Sequence, residues 1–140
     1  MTPMNYWLMK SEPDVYGWPK LVAEKRGRWD GVRNPIARRN LMHMKVGDRA
    51  FFYHSNIGKE VVGMMEIARE HYPDPTDETG KWVAVDVKPL TPAKTPATLA
   101  AIKAEPRLKE MALVRYARLS VQPVTPAEWK LVCRMAGLKP

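Results

Sequence analysis

The sequence predicts an α+β domain built on a small, mainly antiparallel β-barrel with short flanking helices. Three observations predict it. Five or six strand-like runs follow one another as a meander, without regular βαβ alternation. Three or four short helices announce themselves by polar caps and by proline in the first turn. The chain has 140 residues, 45% of them hydrophobic and 27% charged, which is the size and composition of a single domain, residues 1–140, with a proper core.

Each element has a local reason. Residues 4–10, MNYWLMK, read as an aromatic-rich first strand, closed by a turn at Pro13 and Asp14. Residues 18–25 read as a helix with Gly17 as its cap, Leu21 and Val22 apolar, and Pro19 tolerated in the first turn. Asn34-Pro35 starts the next helix, with Asn at the N-cap and Pro at the first helical position. Ala37, Leu41 and Met44 give it an apolar stripe at i, i+4 and i+7. KVGD, residues 45–48, is the turn that follows.

The strands come next. RAFFYH (49–54) and EVVGMMEIARE (60–70) pair through the five-residue hairpin SNIGK, with Val61, Gly63, Met65 and Ile67 on one face. After the loop YPDPTDETG, residues 81–87 alternate, placing Val83, Val85 and Val87 inward. Residues 89–107 carry Pro89, Pro92, Pro96 and Pro106 and read as a proline-punctuated segment around one short helix, 98–103. Residues 119–125 form a last strand, placed at an edge or an end by Pro123. Thr125, Pro126 and Glu128 make a capping box for a final helix, with Trp129, Val132, Cys133 and Ala136 on one face and Gly137 at its end.

Charge and chemistry narrow the function. There are 23 Lys and Arg against 15 Asp and Glu, a net charge of +8, and such an excess attracts polyanions. Cys133 is the only cysteine, so it forms no internal disulfide and no thiolate metal site by itself. His43, His54 and His71 lack metal-ligand spacing. No nucleophile elbow, Walker loop, zincin helix or dinucleotide fingerprint is present. The expectation is therefore no catalytic residue, no metal and no cofactor. The first residues carry no basic region, and no window approaches the roughly 18 apolar residues of a membrane span. The expected location is the cytoplasm, with no membrane partner.

Three segments concentrate polar and aromatic residues at strand ends: YWLMKSEP (6–13), WDGVRN (29–34) and FFYHSN (51–56). Trp7 and Trp29 have the rings to stack on a base, although Trp29 reads equally well as core and Trp129 reads as core. Asn34 reads as a cap. Arg33, Arg38 and Arg39 suit phosphates or a solvated face. A hairpin turn explains Ser55 and Asn56, and His54 reads as an interior histidine or a site residue. Lys10 and Glu12 read as an acid/base pair or as a strand end with a charged turn.

Taken in order, YWLMKSEPDVYGW, WDGVRNPIARRNL, MKVGDRAFFYHSN, VVGMMEIAREHYPDPT, MALVRYARLSVQPV and the closing EW resemble the EVE domain family over nearly the whole chain. The resemblance implies a PUA-like β-barrel with flanking short helices and kinship with YTH domains. It implies a reader of modified bases, notably 5-methylcytosine-like ones, with modified DNA or RNA as partner. The sequence does not set the oligomeric state, and a monomer is favoured. Carried over residue by residue, the base pocket falls on Lys10, Ser11 and Glu12, then Trp29, Val32, Arg33 and Asn34. It continues through Tyr53, His54, Ser55 and Asn56, with Arg115 as a further contributor. Apart from the resemblance, Arg38 and Arg39 lie a turn further on, project outward past the Ala37–Leu41 stripe, and are expected to take phosphates. Pro35 and Ile36 depart from the family's usual GVRNYQAR. Ser11, Trp29, Asn34, Tyr53 and Ser55 are expected to line one concave site, with Trp29 and Tyr53 on the same side. The rival readings are a hydrolase of modified nucleosides using Lys10 and Glu12, and a binder of a free nucleoside or other planar ligand.

Overall fold

The computed structural model describes residues 4–140. Strand β1 (Tyr6–Ser11) is followed by helices α1 (Pro13–Tyr16) and α2 (Trp18–Glu24), strand β2 (Gly27–Trp29) and helix α3 (Pro35–His43). Three strands follow: β3 (Arg49–His54), β4 (Glu60–Pro73) and β5 (Val83–Thr98). Helix α4 (Leu99–Ala104), a 3-10 turn at Pro106–Leu108, helix α5 (Ala112–Arg115), strand β6 (Val121–Val124) and helix α6 (Pro126–Ala136) complete the chain.

One six-stranded sheet runs in the order β2-β5-β4-β3-β1-β6. Only β3, β4 and β5 form the expected meander. β1 inserts between β3 and β6, parallel to β3 and antiparallel to β6. The sheet is therefore mixed, and its edges β2 and β6 do not pair, so the expected barrel does not close. Both edges are short: β2 has three residues and β6 four. Helix α3 packs against β6 and β5 instead, and the Asn40 amide donates to the Val121 carbonyl at 2.7 Å, satisfying a polar group on the open edge.

Each face of the sheet carries its own core. Trp7, Met9, Trp29, Phe52, Met65 and Val85 face α2 and α3, which add Trp18, Leu21, Ala37 and Leu41. Leu8, Phe51, Tyr53 and Val61 face the C-terminal elements, where Trp129 stacks on Phe51 with ring centroids 4.0 Å apart. Strand alternation sorts the two sets. Val61 departs from its expected face because Tyr53 pairs with Val61 and Phe52 with Gly63. Val62 is thus an extra residue, a bulge that reverses the alternation. Gly63 then lies under the Trp18 ring, where a Cβ would fall 2.6 Å from the indole.

The helix caps follow the sequence closely. Asn34 Oδ1 accepts from the Ile36 and Ala37 N–H groups, Thr125 and Glu128 form the capping box, and Gly137 ends α6 at φ 68°. The proline-rich stretch departs from expectation, since β5 continues to Thr98 through Pro89, Pro92 and Pro96. β2 covers only Val85 to Val87 of β5, so the prolines fall where one side of the strand needs no donor.

Candidate functional site

A cleft of about 770 Å³ opens where the end of β1, the α1–α2 pair, β2 and the loop before α3 meet. Trp29 and Val32 form its floor. Trp29 is 5% exposed and meets Phe52 and Tyr16 edge-to-face, with centroids 5.2 and 6.2 Å away. Pairing with Val85 fixes its backbone at the sheet edge. Tyr16 is the wall. Its hydroxyl lies over Gly27, where any Cβ would collide with it, and donates to Glu24 Oε1 at 2.8 Å. Burial first, and then the bond to Glu24, push the phenol pKa up, so Tyr16 remains a neutral donor.

Five cations line the cleft, Lys10, Lys20, Arg26, Arg28 and Arg33, against the two carboxylates Glu24 and Asp30. Arg28 pairs with Asp30 at 2.7 Å, and Arg26 reaches Asp86 at 3.3 Å. Burial lowers the Lys10 pKa, and its ammonium donates to the Ala117 carbonyl at 2.8 Å. The balance is cationic and suits an anionic or carbonyl-rich ligand.

Arg33 is held from beneath. Its Nη1 donates to Asp74 Oδ2 at 3.0 Å and to its own neighbour's carbonyl, Val32 O, at 3.0 Å, while Nη2 donates to Thr76 Oγ1 at 3.1 Å. Asp74, 2% exposed, also accepts from Gly31 N–H at 2.8 Å and from the Thr76 N–H and hydroxyl, both at 2.7 Å. Burial alone raises a carboxyl pKa. Here the hydrogen bonds from Thr76, Gly31 and Arg33 overcome it and hold Asp74 well below the usual carboxylate range. A buried, ionised aspartate thus fixes the loop that carries Arg33.

Of the residues expected in the pocket, the cleft gathers Lys10, Ser11, Trp29, Val32 and Arg33. The others lie elsewhere for specific reasons. Tyr53 sits in the core on the opposite face, because Phe52 faces Trp29 and neighbouring strand residues alternate. The expected pairing of Trp29 with Tyr53 in one site does not form. Asn34 spends its side-chain oxygen on the α3 cap. His54 is half-buried and engaged: its Nε2 accepts the Trp18 N–H at 3.0 Å, and burial lowers its pKa against the opposing pull of Glu60. Ser55 and Asn56 build the hairpin, with Asn56 at φ 69° and the Ser55 N–H donating to Ser11 O at 3.0 Å. Glu12 precedes α1, exposed and outside the cleft lining, so it forms no acid/base pair with Lys10 there. Arg115 pairs with Glu110 on the exposed surface. Trp7 offers no stacking face, being 5% exposed with its indole N–H on Asp48 at 3.0 Å. Arg38 and Arg39 project from α3; Arg38 lies over Trp82 at 5.2 Å, and Arg39 is exposed.

Four residues that sequence reasoning passed over shape the site: Tyr16, Gly27, Asp74 and Trp82. One signal was present. DPTDET holds two Asp-x-Thr units, and in each the aspartate accepts from the threonine's N–H and hydroxyl. The Asp77 unit also takes the Trp82 N–H at 2.9 Å, which sets that ring beside Arg33. Among the described residues, no group of three or more His, Cys, Asp or Glu is placed to hold a metal ion, and no helix is long and apolar enough to cross a membrane.

Residues 5–135 match the EVE domain. The chain belongs to the EVE domain family. A protein from Rhodopseudomonas palustris solved by NMR is 60% identical, with a TM-score of 0.90 over 96% of this chain and 94% of that one. The human THYN1 protein, solved in complex with 5-methylcytosine containing DNA, is 35% identical, with a TM-score of 0.87 over 97% of this chain and 99% of that one. The YTH domain of a Zygosaccharomyces rouxii protein, solved with N6-methyladenosine RNA, covers 96% of this chain and 89% of its own. At 16% identity and a TM-score of 0.60 it shares the fold alone. Within this EVE domain the sheet is mixed and open, and α3 packs against both β5 and β6.

Proposed function

We propose that this EVE domain is a non-catalytic module that binds a modified, 5-methylcytosine-like base of DNA or RNA in the Trp29 cleft. The observation that carries this reading is the cleft itself: an aromatic floor and wall beneath a cationic rim, in a fold shared with a relative solved on 5-methylcytosine DNA. The base enters edge-first against Trp29 and the Tyr16 ring, because Trp29 offers too little exposed area for a full stack. Ser11, the Tyr16 hydroxyl and the Arg33 guanidinium face the base edge as hydrogen-bonding groups. Arg38 and Arg39 take backbone phosphates, which position the strand without reading it.

The energetics set the expected behaviour. Removing a base from its stack costs a few kcal/mol, which burial in the cleft and edge hydrogen bonds offset. The methyl group adds at most about 0.8 kcal/mol, or about a fourfold preference. Such a domain binds modified nucleic acid modestly better than plain, and most of its affinity comes from phosphates.

Salt titration separates this reading from a binder of free nucleosides. Affinity for a single-stranded oligonucleotide carrying 5-methylcytosine should fall steeply, with a log–log slope of about −0.7 for each phosphate contacted. Flat salt dependence, with tight binding of free 5-methylcytidine, would overturn the nucleic-acid reading in favour of a small-molecule site.

A further inference from the structure

Beyond the cleft, one surface feature surrounds Arg38, to which the proposed function gives only a phosphate contact. Trp82 forms a ridge with three cations against a single ring: Arg33 at 5.9 Å, Arg38 at 5.2 Å and Lys81 at 5.2 Å from its centroid. Arg33 belongs to the cleft. Arg38 and Lys81 also line a second groove of about 460 Å³, with Met42, His71 and Tyr72, whose ring carries the Arg69 guanidinium at 4.0 Å. No carboxylate lines this groove. Among the described residues, Arg38 and Lys81 form no ion pair, and Arg38 donates instead to the Lys81 carbonyl at 3.2 Å. Clustering like charges without a counter-charge is unfavourable unless an anion completes them. Aromatic surface beside guanidinium and ammonium groups is the chemistry that holds single-stranded nucleic acid, by stacking and by phosphate pairing.

The two concavities are built as neighbours. Asp74 closes one end of β4 and grips Arg33 in the cleft, while Pro73, Tyr72 and His71, immediately before it, line the groove. Arg38 follows Arg33 on the next turn of the same segment, at the start of α3. The cleft and the groove are thus joined through Trp82, whose ring carries Arg33 of the one and Arg38 of the other.

We propose that the Arg38–Lys81–Tyr72 groove is a second nucleic-acid subsite, which takes the single-stranded nucleotides flanking the base held in the cleft. This rests on the modified-base reading and deepens it, since it sets a minimum ligand length and a polarity for the bound strand. The groove reads no sequence. It holds a phosphodiester and one flanking base, and so converts a weak base pocket into a useful binder by adding contacts on one side only.

The test uses the full chain and three single-stranded oligonucleotides: a trinucleotide with 5-methylcytosine at its centre, and the same trinucleotide extended by five nucleotides on the 5′ or the 3′ side. One extended oligonucleotide should bind at least tenfold tighter than the trinucleotide, and the other should gain much less. Lys81→Glu should abolish most of that one-sided gain while leaving trinucleotide affinity within twofold, and His71→Glu, on the same groove, should act in the same direction. Equal gain from both extensions, no gain from either, or equal weakening of all three ligands by Lys81→Glu would overturn the subsite. The same series with plain cytosine tests the underlying reading separately. Loss of base preference with the one-sided gain intact would sink the base reader and leave the groove standing.

Discussion

Asp74→Asn removes one charge and almost no volume, and it strikes the group that organises the cleft's basic side. Asp74 Oδ2 accepts from the Gly31 N–H and the Arg33 guanidinium, and Oδ1 accepts from Thr76 twice. An amide NH₂ in either position faces two donors. Arg33 is 39% exposed at its side chain and can turn to water, so its share of the loss is at most about 1 kcal/mol. The backbone N–H left against the amide costs a further 1–3 kcal/mol or so. Together these give about 1–4 kcal/mol, a fall in Tm on the order of 10 °C for a chain of this size. The pH dependence follows from the sign of the shift. Asp74 titrates lower in the folded protein than in the unfolded chain, where the value is about 3.9. Its contribution is therefore fully present above that value and is lost as pH falls through the lower, folded pKa. Thermal melts of both proteins from pH 3 to pH 8 should show a constant gap above about pH 5 that narrows only in acid. Equal Tm values at pH 7, or a gap that widens on acidification, would refute the structural role given to Asp74.

Two further perturbations probe the frame of the site. Asn34→Ala removes the acceptor for the Ile36 and Ala37 N–H groups and should cost about 1 kcal/mol, read as a lowered denaturant midpoint with an unchanged slope; a loss of base preference without a stability loss would mean that Asn34 touches ligand after all. His54 accepts the Trp18 N–H only when neutral, and burial lowers its pKa. Its contribution should be present above the unfolded value near 6.5 and decline as pH falls through the folded one, whereas His54→Gln, which keeps an acceptor, should be flat across that window; identical pH profiles of the two proteins would contradict it.

Local chemistry was legible in the sequence wherever a single segment decides it. Asn34-Pro35 and Thr125-Pro126 carry their own capping instructions, and the stripes Ala37–Leu41 and Trp129–Val132 face the core as their spacing requires. Non-local pairing was less legible. Nothing in residues 4–10 says that β1 runs parallel to β3, because that pairing closes over the whole stretch containing α1 to α3. The bulge at Val62 reverses the face of Val61, and Gly63 beside it admits the Trp18 ring from another element. β5 survives three prolines because its outer edge is unpaired beyond Val87, a property of the neighbouring strand and not of the segment.

The site divides along the same line. The segment WDGVRN delivered Trp29, Val32 and Arg33 to one cleft because it is a single connected run. FFYHSN did not contribute as a block, since alternation sends Phe52 to the Trp29 side and Tyr53 to the other. Asp74 and Trp82, forty or more residues after Arg33, reach it only through the Asp-x-Thr loop, whose Asx turns were readable even though their partner was not.

The most direct test of the base-reader reading is a competition between two otherwise identical single-stranded oligonucleotides, one with 5-methylcytosine and one with cytosine, measured by titration calorimetry at a fixed salt concentration. Binding in the Trp29 cleft predicts a preference of about fourfold for the methylated strand, abolished when Tyr16 is displaced by Gly27→Ala. Equal affinity for the two strands, or a preference that survives Gly27→Ala unchanged, would contradict it.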